Sequence, residues 1–540
     1  MRSQNITRGS GAPTTTSSAS ELPRFRPSSA ASPGERWARA LGELEAREPV
    51  RPHPALVNAD FRPTLAAART FSAADMTALW IGLVVCVPSW HLAGGLVALG
   101  MSWWQGVLTV FAGNLVCLVP MVLNAAQGTR YGVPFPVLAR SSFGVLGAHV
   151  PSLLRGVVAC GWFGIQTWVG GESMRTIYRT LAGAAAGAPA PPVAGLGISL
   201  EQLGFFAAFW CAQVAILVRG MESIRLMEKY AAPVLVALTL ALLGWAVAAA
   251  GGLGPMLSMP SQFGPGMPRH GEFWGVFVPA VTAQVGFWAT LSLNIPDFSR
   301  FATSQRAQLL GQAFGLPVFM ALFTFVGLAV TSATVVIYGA AVTDPIALAG
   351  RMGGPASALA LVGLILATVS TNIAANCVGP ANALVNLAPQ RLSFAGASLL
   401  TAAVAAVVQP WRLIQSTDGF IFTWLVGYSG LLGPIVGVMT VDYYLFKRGR
   451  LDIDSLYRMG PEGQYWYTGG VNLPAIAAVL VGSAINVPGF LRVCGVVARV
   501  HPAWDAIYSA AWFSGTFVAA VVFYALTKLS QPPPAPAREA

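Results

Sequence analysis

Twelve apolar stretches, each of about the length that crosses a bilayer core roughly 30 Å thick, limit this chain more than any other feature. They cover residues 74–100, 103–125, 150–174, 203–218, 231–252, 274–296, 311–339, 356–386, 393–409, 419–445, 473–491 and 508–528. A backbone in lipid has to satisfy its own N–H and C=O groups, so the stretches predict an all-α integral membrane protein with twelve transmembrane helices. Composition agrees, with 55% of residues hydrophobic and only 10% charged. A set of soluble domains is excluded on that balance.

The net charge of +11 raises the question of a nucleic-acid partner, which its distribution answers. With the N-terminus placed inside, the even-numbered connections hold most of the basic residues, among them Arg130, Arg140, Arg219, Arg225, Lys229 and Lys447. The basic balance is therefore topology, and it predicts a multi-pass protein of the plasma (inner) membrane with both termini cytoplasmic. Residues 1–70 are rich in Ser, Thr, Ala, Pro and Arg and read as a disordered cytoplasmic tail; residues 531–540 read the same way. The six cysteines lie in apolar spans without CxxC pairing, which predicts small buried hydrophobes and no disulfide framework or zinc site.

Within the third span, Val157 to Glu172 reads VVACGWFGIQTWVGGE. Trp162 and Gln166 are four apart and share one face of a helix, setting a flat aromatic plate beside an amide with donors and an acceptor. A planar, amide-rich small molecule suits that pair. An unpaired amide in hydrocarbon costs several kcal/mol, so Gln166 has to face protein, water or a ligand. Gly161 and Gly164 read as sites of close helix approach.

The first span is interrupted by Pro88 and the sixth carries Gly286 in mid-membrane among Gln284, Phe287, Trp288 and Thr290. Interruptions at corresponding places predict a five-plus-five inverted repeat with unwound segments around a midplane site. The repeats are expected at 71–252 and 270–446, with two additional helices in 470–530. The eighth span is the most polar of the long ones. Its Ala367, Ser370 and Thr371 lie within one turn and converge a carbonyl and two hydroxyls, ligands suited to a weakly held monovalent cation, while Asn376 falls on nearly the same face. Glu172, Asp297 and Asp442 sit toward span ends, leaving the span centres with almost no carboxylate. That favours sodium over protons as the coupling ion, with proton coupling as the alternative. Asp297, beside Arg300, reads as a local ion pair or gate contact.

The stretches GTRYGVPFPVLARSSFGVLGAHVPSLLRGVVACGWFGIQTWVGG, ATLSLNIPDFSRFA and STNIAANCVGPANALVNLAP resemble the nucleobase-cation-symport-1 family over roughly residues 70–450. The resemblance implies the twelve-helix sodium-symporter fold and transport of hydantoins, allantoin, cytosine, uracil or related compounds. It implies that Trp162 stacks on the substrate, that Gln166 and Asn376 bond its amide edge, and that Gly286 and Trp288 contribute backbone and aromatic surface. Phe287 is as near by spacing, and that choice stays open. Cys86 stands where some members place a polar side chain before the proline. The implied sodium site combines the carbonyls of Gly82, Val85 and Ala367 with the hydroxyls of Ser370 and Thr371. The partners are then a planar heterocycle, a monovalent cation and the bilayer, with no cofactor.

Two other classes fit these residues less well. An integral-membrane enzyme lacks support: there is no HExxH, GxSxG or phosphate-cradling loop, and His91 alone of five histidines lies well inside a span. A passive channel calls for rings of like groups, whereas the polar residues here are one-off.

Overall fold

The computed structural model describes residues 42–183, 190–412 and 423–530. The expected tails at 1–41 and 531–540 lie outside the described residues. Among the described residues, nine helices are long and apolar enough to cross a membrane, and one bent pair makes a tenth span. Two expected spans take another form. The third lies within His149–Ala182, a 34-residue helix whose glycines and polar groups keep it below that apolar standard. The ninth is Phe394–Val407, of 14 residues.

The bent pair is α1 (Ala73–Val84) and α2 (Val87–Ala98), which meet at 59°. Ser72 and Asp75 close a capping box at the start of α1. Pro88 lies in the first turn of α2, where its missing N–H costs nothing, and Cys86 before it is extended at φ −148° and ψ 160°. The break predicted from Pro88 is present.

The break predicted at Gly286 is not. Helix α6 (Phe273–Asn294) runs through Gly286 without interruption and yields only at Ile295, where Pro296 starts a new short turn. A helical glycine costs about 1 kcal/mol relative to alanine, too little to break a helix by itself. Gly286 is spent on packing: a Cβ there would collide with Ser429 Oγ and lie 2.9 Å from the Leu425 carbonyl oxygen.

Between these, α3 is Trp103–Tyr131, α4 is His149–Ala182 and α5 is Met221–Ala249; after α6 come α7 (Gly354–Asn376) and α8 (Val426–Val441). Helix α7 is central, packing on α1, α4 and α5. Gly161 of α4 lets the Trp424 ring approach, since a Cβ there would stand 2.7 Å from it.

Residues 42–70 correct the expectation of a disordered tail to residue 70. They form three short helical turns laid across one end of the bundle. Phe61 is fully buried and its carbonyl accepts the Tyr457 hydroxyl at 2.6 Å, while Asn58 donates to the carbonyls of Pro389 and Leu392, both at 3.1 Å. Arg69 donates to the carbonyls of Thr129 and Ala302. This end carries Arg130, Arg140 and Arg300. The cysteines are all unpaired, and Cys211 and Cys494 are exposed on the outside of the bundle where burial was expected.

Candidate functional site

Trp162 and Gln166 lie one turn apart on α4 and are both buried. The Trp162 ring meets Phe287 of α6 edge-to-face, with centroids 5.7 Å apart at 82°, and Trp424 at 6.2 Å and 63°. Its Nε1 donates to the Tyr428 hydroxyl at 3.3 Å. Gln166 Oε1 is buried and accepts no hydrogen bond from the protein. A buried acceptor left open costs about 1–3 kcal/mol, a cost that a donating ligand removes.

Asn376 projects from α7 and donates to Asn372 Oδ1 at 2.9 Å. Asn372 in turn donates to the Phe163 carbonyl at 3.0 Å and to Gln213 Oε1 at 2.7 Å. These bonds fix α7 against the segment of α4 that bears Trp162 and Gln166, so the structure brings Asn376 to their side of the bundle. Asn372 and Gln213 were not foreseen as the fixing pair. The only signal was the density of amides in the eighth span.

The sixth-span expectation needs correction. The aromatic that faces Trp162 is Phe287; Trp288 turns away and meets Trp80 of α1 edge-to-face at 5.3 Å and 77°. Neighbouring residues on a helix point about 100° apart, so only one can face α4. Gly286 faces α8 instead of the site. Cys86 sits buried at the break of the first span, with Sγ 3.1 Å from Ser89 Oγ. It lines an apolar pocket together with Val85, Trp90, Leu235, Phe323 and Ala367.

The expected cation ligands gather where α1 crosses α7. Thr371 Oγ1 donates to the Gly82 carbonyl at 2.8 Å, Ser370 and Gly82 are buried beside it, and Val85 and Ala367 line the adjoining pocket. A group absent from the sequence expectation joins them. Glu228 of α5 is 1% exposed and its Oε2 accepts the Ser370 hydroxyl at 2.6 Å. The expectation of almost no carboxylate within the spans missed this one. It placed the fifth span at 231–252, whereas α5 begins at Met221 and carries Glu228 inward. The legible signal was a carboxylate within one turn of an apolar run. The donor set of hydroxyls, carbonyls and one carboxylate fits a hard monovalent cation.

A second buried polar chain runs beside Asn376. Arg155 of α4 is 1% exposed; its Nε donates to Asn294 Oδ1 at 3.0 Å and its NH2 to the Ala375 carbonyl at 2.7 Å. Asn294 donates to Asp297 at 3.1 Å, and Asp297 accepts the Phe135 N–H at 3.0 Å. The expected Asp297–Arg300 pairing is replaced by these bonds, while Arg300 donates to the Asp60 carbonyl at 2.8 Å. Arg155 thus ties α4, α6 and α7 together on one side of the candidate face.

Comparison with known proteins places this geometry in context. The family model for permeases of cytosine/purines, uracil, thiamine and allantoin matches residues 63–515. A purine-uracil permease of Arabidopsis thaliana is 50% identical over 473 residues, 87% of this chain and 78% of that protein. An allantoin permease of Bacillus subtilis is 35% identical, over 88% of this chain and 94% of its own. Among solved structures, a nucleobase-cation-symport-1 family transporter in a closed conformation with bromovinylhydantoin bound superposes with a TM-score of 0.72 at 25% identity, covering 88% of this chain and 96% of that one.

Proposed function

Because this chain belongs to the nucleobase-cation-symport-1 family of permeases for cytosine and purines, uracil, thiamine and allantoin, we propose that it is a symporter importing one planar heterocycle of that class. The chain is a permease and not an enzyme. The observation that carries the substrate reading is the pairing of Trp162 and Phe287 rings beside the open acceptor of Gln166. A flat ring stacked on the Trp162 plate beside Phe287, with its N–H and C=O edge read by Gln166 and Asn376, completes the Gln166 Oε1 that is otherwise buried and unpaired. Uracil, cytosine, allantoin and hydantoin all present such an edge.

Uptake is coupled to a monovalent cation held where α1, α5 and α7 meet, and the two ligands favour each other by the same factor. Sodium is the first reading of that cation, resting on the hydroxyl and carbonyl set of Ser370, Thr371 and Gly82. A proton is the second, favoured by the carboxylate of Glu228 in the same place. The termini lie on the cytoplasmic side, a reading supported by the arginines at the end that residues 42–70 cover.

The test is uptake of labelled uracil, cytosine, allantoin and hydantoin into proteoliposomes under a sodium gradient, a proton gradient or neither. Concentrative uptake of at least one compound under one gradient, with trans-acceleration in counterflow, is expected. Equal flux without a gradient and no trans-acceleration would point to a channel and refute the symport reading.

A further inference from the structure

We propose that Glu228 is the anionic anchor of the coupling site: its carboxylate binds the driving cation directly and gives the site a full negative charge. The inference rests on the symport reading above and adds to the five neutral donors a ligand from a third helix.

The geometry comes first. Glu228 reaches from α5 across to the backbone of α1, where only a glycine admits it: a Cβ at Gly82 would collide with Glu228 Oε2 and stand 2.6 Å from Ser370 Oγ. One carboxylate oxygen takes the Ser370 hydroxyl at 2.6 Å. The other, Oε1, is buried and has no partner. Among the described residues, none of the ion pairs involves Glu228, whereas Asp442 has Lys447 and Asp75 has Arg225. An ionised carboxylate taken out of water costs several kcal/mol even after relaxation, and it persists only with a counter-charge. Among the described residues no fixed cation supplies one here. A mobile cation does.

The neighbours are arranged to share such an ion. Thr371 spends its proton on the Gly82 carbonyl, at 2.8 Å, and keeps oxygen lone pairs. Ser370 spends its proton on Glu228 and does the same. The occupant is therefore ligated by oxygens of α1, α5 and α7 together. Its binding ties the first-half helices α1 and α5 to α7 of the second half. An empty site leaves the carboxylate without its counter-charge, to be hydrated or protonated, and the three helices lose the ligand they shared. Loaded and unloaded states thus differ in which helix contacts are stable, as obligatory coupling requires.

The experiment compares wild type with Glu228→Gln, Glu228→Asp and Gly82→Ala in the same proteoliposomes, under sodium and proton gradients imposed separately. Each variant's melting temperature and substrate binding are checked in detergent. A neutral amide imitates a charge-compensated site, so Glu228→Gln is expected to exchange substrate in counterflow and to lose accumulation under whichever gradient drives wild type, by roughly tenfold or more. Glu228→Asp retains the charge and recovers part of the accumulation; Gly82→Ala displaces the carboxylate and behaves like Glu228→Gln. Direct binding of radioactive sodium, lost in Glu228→Gln, identifies sodium as the occupant, and wild-type accumulation driven by the proton gradient alone identifies the proton. Accumulation by Glu228→Gln at the wild-type level overturns the inference. So does a folded, substrate-binding Glu228→Gln protein that loses counterflow together with accumulation. Wild type that accumulates nothing under either gradient overturns the symport reading, and this inference with it.

Discussion

The proposed substrate face and the proposed cation locus share one helix, α7, and are finished in opposite ways. Around Trp162 the protein supplies surfaces and leaves an acceptor open, Gln166 Oε1, and the partner proposed there is a neutral donor. Around Ser370 it supplies its own carboxylate and leaves the Glu228 Oε1 open, and the partner proposed there is a cation. One α7 face holds Asn372 and Asn376, bound toward α4; another holds Ser370 and Thr371, bound toward α5 and α1. A single helix that both proposed ligands would touch is a physical route by which each can change the affinity of the other.

Four substitutions break or sharpen that contrast. Trp162→Ala should have the largest effect, removing a buried plate at a cost of about 3–5 kcal/mol in side-chain contacts. Uptake should fall below detection, and a substrate-binding isotherm in detergent would check it against the melting temperature. Ser370→Ala should act on the other region alone. The half-saturating concentration of the driving cation should rise by about 5- to 50-fold, the range expected for a lost bond to a charged group, while substrate affinity at saturating cation stays within about twofold.

A smaller effect separates two adjacent rings. Phe287→Leu should raise the KM for substrate by about 3- to 10-fold through a lost aromatic contact. Trp288→Leu should lower the melting temperature through its contact with Trp80 and leave KM nearly unchanged. The reverse pattern in KM would return Trp288 to the substrate face. The smallest effect belongs to neither region. Asp454, in the loop under residues 42–70, accepts hydrogen bonds from the Arg47 guanidinium at 2.7 and 3.0 Å and from the Val50 N–H at 2.6 Å. The Arg47 hydrogen bond holds its carboxyl below the ordinary range. A folded-state pKa below the unfolded one contributes stability above the unfolded value and loses it as pH falls through the folded value. Asp454→Asn should therefore cost less than about 1 kcal/mol near neutral pH, and the difference from wild type should vanish in acid, as followed by thermal melts against pH.

The placing of Trp162 and Gln166 one turn apart on one buried helix was legible because they sit in one contiguous stretch at helical spacing. The break of the first span was legible for a related reason, since Pro88 acts on its own backbone. What the sequence did not reveal depends on rotation and neighbours. Phe287 and Trp288 differ only in the direction each points from α6, which packing decides. Gly286 is the same residue whether it breaks a helix or admits Ser429, and here it admits Ser429. Glu228 was hidden because hydropathy rises only near residue 231, ten residues after the helix begins at Met221 and three past Glu228 itself. Residues 42–70 hold few apolar anchors, Leu56 and Phe61 among them, and become ordered through backbone acceptors of distant loops that no local pattern announces.

The central claim, that a planar heterocycle completes the open amide face of α4, is tested most directly by equilibrium dialysis of the preferred labelled substrate against purified wild type, Gln166→Ala and Asn376→Ala. The account predicts saturable binding to wild type and a loss of about 5- to 100-fold in affinity in each variant, at unchanged melting temperature. Binding of equal strength in all three folded proteins would contradict it.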